Sequence, residues 1–110
     1  MVQLTPPVSE QSYEIRRQVA DFLVAAGDYM AEHHKCSGVA GTEDGRVCAW
    51  GAMCKVTSQP GWRARMGIAL SEYLDQKCKC IPDWSDSHSE EEVIQGFYDA
   101  AVKLRPDATL

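Results

Sequence analysis

Residues 38–57, GVAGTEDGRVCAWGAMCKVT, decide how the rest of this chain is read. They hold its strongest turn signal, Asp44-Gly45, a pair that supplies the positive φ values tight hairpin turns require. Short apolar runs flank the turn, Val39-Ala40 before it and Val47-Cys48 after it. A hairpin with such short arms cannot stand alone and must lean on helices. From Ala49 the spacing becomes helical: Ala49, Ala52, Met53 and Val56 recur at i, i+3, i+4. Gly51 inside that run marks a close helix contact, with Trp50 as the large neighbour. Ser58, Gln59, Pro60 and Gly61 end the helix.

Amphipathic patterns lie on both sides of this stretch. Ile15, Val19, Phe22, Leu23, Ala26 and Met30 form one apolar stripe and predict a helix over 10–34. Ser9 supplies its N-cap, and Glu10 adds negative charge where the helix dipole favours it. Gly27 marks a close approach by another element. Trp62, Met66, Ala69, Leu70, Tyr73 and Leu74 predict a further helix over 62–77. Residues 83–88, DWSDSH, read as a polar loop around Trp84. Ser89 and Glu92 then have the spacing of a capping box, in which each side chain bonds the other's backbone N–H. The last helix carries Val93, Ile94, Phe97, Ala101 and Leu104, and Arg105-Pro106 stops it. The expected fold is mainly α: a compact four-helix domain with one short β-hairpin between the first and second helices. Residues 1–9 form a flexible lead-in, 10–105 the single domain and 106–110 a frayed tail.

Whole-chain properties narrow the function classes. A chain of 110 residues is one domain's worth. No run approaches the ~18 apolar residues of a membrane span, and the first residues lack the pattern of a secretory signal, so the cytosol is the expected compartment. The net charge of −5 argues against a general nucleic-acid binder, which needs a surplus of Lys and Arg. Five cysteines is an odd number, which does not fit a disulfide framework.

Four chemistries can be weighed on residue types. His33, His34 and Cys36 with Cys78 and Cys80 could gather around a metal, although their spacing matches no common zinc pattern. Cys78 and Cys80, flanking Lys79, fit a reactive thiol best. Asp83, Asp86, Glu90, Glu91 and Glu92 could do acid–base work, but acids at a helix N-terminus are explained by capping alone. Arg63 and Arg65, early in the third helix, stand where a recognition helix places its DNA contacts; the charge balance opposes that reading. None of the four outweighs the structural explanation of the same residues, and no cofactor is implied.

Two separated segments carry a resemblance. Gly38-Val39-Ala40 followed by Asp44-Gly45-Arg46-Val47-Cys48-Ala49-Trp50-Gly51-Ala52 resembles the D-G-R-x-C-x-x-G-A segment of a domain-of-unknown-function family of small actinobacterial and phage proteins. Ile81-Pro82-Asp83-Trp84-Ser85-Asp86 resembles that family's later I-x-x-W-N-D loop, with Ser85 in place of the usual Asn. The resemblance covers about 10–104. It implies a compact helical domain and an actinobacterial or phage source, and it brings no activity. The reading that follows is a protein–protein interaction module, a phage accessory factor acting on a host protein, with Arg46, Trp84 and Asp86 as partner-binding residues. Self-association is a secondary expectation, since three Trp, four Tyr and four Met are many large apolar groups for one small core. A metal- or thiol-dependent enzyme and a DNA-binding helical protein are the alternatives.

Overall fold

The computed structural model describes residues 13–39, 41–74 and 81–105. Five helices follow one another: α1 (Tyr13–His33), α2 (Ala49–Val56), α3 (Pro60–Tyr73), α4 (Ile81–Ser87) and α5 (Glu90–Leu104). The expected Ser9 cap, the lead-in, the tail and residues 75–80 lie outside the described residues.

The core grows from the predicted stripes. Val19, Leu23, Ala26 and Met30 of α1 are buried against Val93, Phe97, Ala100, Ala101 and Leu104 of α5. The two helices run antiparallel and are tied along their length. Arg105 reaches Asp21 at one end (2.7 Å), Tyr98 donates to Asp28 in the middle (2.6 Å), and Glu90 meets the chain leaving α1 at the other. A Cβ on Gly27 would stand 2.7 Å from the Tyr98 ring, so the expected close approach is made by α5. Helix α2 inserts Ala49, Ala52 and Met53 beneath α1. Helix α3 begins at Pro60, whose missing N–H costs nothing in a first turn. It buries Met66, Ala69 and Leu70 and sets Trp62 edge-on against Phe22 of α1. The capping box of α5 forms: Glu92 N–H donates to the Ser89 hydroxyl, and Ser89 N–H donates to the Glu92 carboxylate (3.2 and 2.9 Å).

Two expectations are corrected. Among the described residues there are five helices rather than four, because the segment expected to be a polar loop winds into α4. Ser85, Asp86 and Ser87 are poor helix formers, and seven residues are too few to show a period. What holds α4 is burial of Ile81, Trp84 and Ser85. Its end is held by the Trp84 carbonyl, which accepts from Ser87 Oγ and bonds His88 Nδ1.

The hairpin is also replaced. The turn itself forms, with Gly45 at φ 91°, Gly45 N–H donating to Thr42 O and Thr42 N–H to Arg46 O. Among the described residues no strands extend from it. Val47 instead makes a parallel bridge to Lys35 and an antiparallel bridge to Gly41. The chain leaving α1 competes for Val47: its N–H goes to His34 O and its C=O takes Cys36 N–H, both at 3.0 Å. The third helix, expected over 62–77, starts at Pro60 and is capped by Leu74, which lies in the αR region.

Candidate contact surface around Trp50

The loop between α1 and α2 is clamped by side chains of the α4–α5 corner. Two of its backbone N–H groups, and that of Ala49 at the start of α2, find acceptors there. Lys35 donates to Glu90 Oε1 (2.8 Å), Gly38 to Asp86 Oδ1 (3.1 Å) and Ala49 to the buried Ser85 hydroxyl (3.0 Å). His34, at φ 75°, turns its ring toward Glu90, placing Nδ1 3.2 Å from Oε2. The Lys35 N–H, helped by His34, holds the Glu90 carboxyl below the usual carboxylate range. Cys48 closes the loop as N-cap of α2, its Sγ accepting from Gly51 N–H at 3.5 Å.

This clamp fixes the first turn of α2. Ala49, Ala52 and Met53 face the core, which leaves Trp50 on the outer side, 37% exposed. Trp50 and Pro82 of α4 together border two clefts. The larger, of ≈ 520 Å³, lies over α3, where Ala64, Gly67 and Ile68 line it with Arg63 and Glu72. The smaller, of ≈ 140 Å³, includes Gly38, Val39, Cys48 and Asp86. Val39 is among the most exposed large apolar side chains of the described residues. The result is an apolar face built from three helices and one loop, with charged groups at its borders.

Of the residues expected to bind a partner, Asp86 lies on this face, exposed, and holds Gly38 N–H. Trp84 is buried behind it. Its indole packs edge-on to Phe97 and so close to α5 that a Cβ on Gly96 would be 2.6 Å from the ring. Arg46 sits on the exposed turn and pairs with Asp44, both carboxylate oxygens 3.2 Å from Nε. Thr42 also donates to Asp44, and these two partners hold the Asp44 carboxyl low. Sequence reasoning singled out neither Val39 nor Pro82. Trp50 was visible as a large residue beside Gly51, but only the burial of the opposite α2 face shows that it points outward.

The other chemistries find their residues otherwise engaged. His33 stacks on Tyr29 and bonds its carbonyl, His34 faces Glu90, and Cys36 Sγ donates to Val39 O. Cys78, Lys79 and Cys80 lie outside the described residues. Among the described residues no three potential ligands gather to hold a metal. Glu90 and Glu92 serve the loop and the cap. Arg63 turns back onto α2, donating to Cys54 Sγ and Ser58 O, while the Arg65 guanidinium lies 5.1 Å over the Trp62 ring. Among the described residues no helix is long and apolar enough to cross a membrane.

A family model described as "Family of unknown function (DUF6197)" matches residues 14–103. No curated protein and no solved structure matches the chain.

Proposed function

We propose that this chain, which belongs to the DUF6197 family, is a protein-binding module whose contact surface is the face centred on Trp50. The observation that carries this reading is a half-exposed tryptophan set between two clefts on an otherwise apolar face. Tryptophan is enriched among the residues that dominate binding energy, and such anchors are surrounded by apolar neighbours that exclude water. Val39, Pro82 and Ile68 supply that surround, and Arg63, Glu72 and Asp86 supply a polar border. The occupant of this chemistry is a short segment of another protein that lays a bulky apolar side chain into the larger cleft. Asp86 acts at the border, Trp84 supports the face from beneath, and Arg46 contacts the partner from the turn. If the chain has the phage source its motifs resemble, that partner is a protein of the host cell.

The test is affinity capture from an actinobacterial lysate, followed by reconstitution with the purified captured protein. Trp50→Ala and Arg46→Ala are compared with the unaltered chain after circular dichroism shows that both fold. The reading expects one protein to be captured, to bind directly when purified, and to be lost with Trp50→Ala. A captured protein that binds Trp50→Ala equally well places the surface elsewhere. A concentration-dependent dimer abolished by Trp50→Ala makes a second copy of the chain the partner.

A further inference from the structure

The loop that borders this face carries two cysteines in a relation that the contact-surface reading does not use. We propose that Cys36 and Cys48 are a redox-modification site, forming a reversible disulfide that ties the exit of α1 to the entry of α2. Lys35 and Val47 form a parallel bridge. One residue further along each chain stand Cys36 and Cys48. Cys36 N–H donates to the Val47 carbonyl, the group that leads directly into Cys48, and Cys48 is itself extended at φ −85°, ψ 177°. Chains paired in this way lie about 4.8 Å apart. That is within the roughly 4.4–6.8 Å between Cα atoms that a disulfide spans. In a parallel register the two side chains fall on the same side. Both are buried and both are free thiols.

Their electrostatics agree with this placement. Burial pushes the Cys36 thiol up, and charge on Cys48 adds to that push, so the two sulfurs feel one another; Arg46 and Lys35 act in the opposite direction. Each sulfur makes only a weak bond, Cys36 to Val39 O at 3.4 Å and Cys48 from Gly51 N–H at 3.5 Å. Rotation about χ1 releases either. Between them the chain loops outward through exposed Ser37, Gly38, Val39, Glu43 and Asp44.

The reaction balances with a low-molecular-weight disulfide such as oxidised glutathione. One protein thiolate attacks a glutathione sulfur, the glutathione S–S bond breaks, and one glutathione thiolate leaves. The second protein thiolate attacks the protein sulfur of that mixed disulfide and expels the second glutathione. The two protein thiols are oxidised, one glutathione disulfide is reduced, and the two protons pass to the leaving thiolates. The bond would fix the loop bearing Val39 and Arg46 in one arrangement beside Trp50.

The reduced full-length chain is incubated with oxidised glutathione, blocked with iodoacetamide, denatured and digested with trypsin for mass spectrometry. Cleavage after Lys35, Arg46 and Lys55 separates the two cysteines. The expected result is peptide 36–46 linked to peptide 47–55, with the link persisting in Cys54→Ser and reversed by dithiothreitol. Cys36→Ala and Cys48→Ala each abolish it. Three results overturn the proposal: both cysteines alkylated, a glutathione adduct on either that does not resolve, or a link that runs instead to Cys54, Cys78 or Cys80. Fragmentation of the linked peptide between Cys48 and Cys54, which share peptide 47–55, decides among these in the unaltered chain, so the outcome does not depend on how the variants fold, nor on whether Trp50 binds a partner.

Discussion

Ala49 opens α2 with a backbone N–H that its own helix cannot satisfy, and the residue is wholly buried. The Ser85 hydroxyl meets it, from a side chain that is itself fully buried. Ser85→Ala leaves that N–H without an acceptor and is expected to cost about 1–3 kcal/mol, read from the urea midpoint with an unchanged slope. Gly96 is constrained by space rather than by conformation. A methyl there meets the Trp84 ring at 2.6 and 2.9 Å, and a buried indole has little room to yield. Gly96→Ala should destabilise by about 1–3 kcal/mol through overpacking. Because the two residues share one contact, Gly96→Ala with Trp84→Phe should lose less than the sum of the single changes. Strict additivity in denaturant unfolding would show that the contact is not what limits the site.

At the scale of elements, the first turn of α5 caps its own helix and holds the α1–α2 loop. Hydrogen bonds and nearby cations keep Glu90, Glu92 and Asp44 low in the folded chain. A group lowered on folding contributes stability above its unfolded pKa and loses it as pH falls through the folded one. Stability should therefore decline as pH falls below about 4.5. Glu90→Gln should flatten part of that decline, measured as thermal midpoint against pH. An unchanged profile would show that Glu90 contributes nothing to it. On the alkaline side, burial raises Cys36 and Tyr73, the Tyr73 bond to Asp99 adding to its rise, and the bond to Asp28 raises Tyr98. These groups stabilise the fold below their unfolded values, so a second decline should begin near pH 9–10.

Elements also show where sequence reasoning reached and where it stopped. Helices α1 and α5 are long enough for their stripes to repeat, and the capping box of α5 is a local signal, so both were legible. Helix α4 was not, because its residues prefer turns and it is held by burial of Ile81, Trp84 and Ser85, with Trp84 packed on Gly96 and Phe97. The Asp44-Gly45 turn was legible because it is local. The partner of Val47 was not, because Lys35 lies across the turn, and only the direction in which α1 ends brings it there. The site divides in the same way. Arg46, Trp84 and Asp86 drew notice through the two motif segments, and of these Asp86 lines the Trp50 face, while Val39, Trp50 and Pro82 form a surface only once three helices meet.

At the scale of the whole molecule, the antiparallel α1–α5 pair is the frame, and α2, α3 and α4 build the Trp50 face against it. The frame's stability should rest on its apolar seam rather than its exposed ion pair. Arg105→Ala, which removes the partner of Asp21, is expected to cost no more than about 1 kcal/mol. Phe97→Ala should cost about 3–5 kcal/mol. The most direct test of the account is a calorimetric titration of the purified captured partner into three proteins: the unaltered chain, Trp50→Ala, and Val102→Ala. Val102 is more exposed than Trp50 and lines neither of the two clefts. The account predicts that Trp50→Ala, folded by its thermal melt, weakens binding about 30-fold or more, while Val102→Ala leaves it unchanged. Equal affinity for the unaltered chain and Trp50→Ala would contradict it.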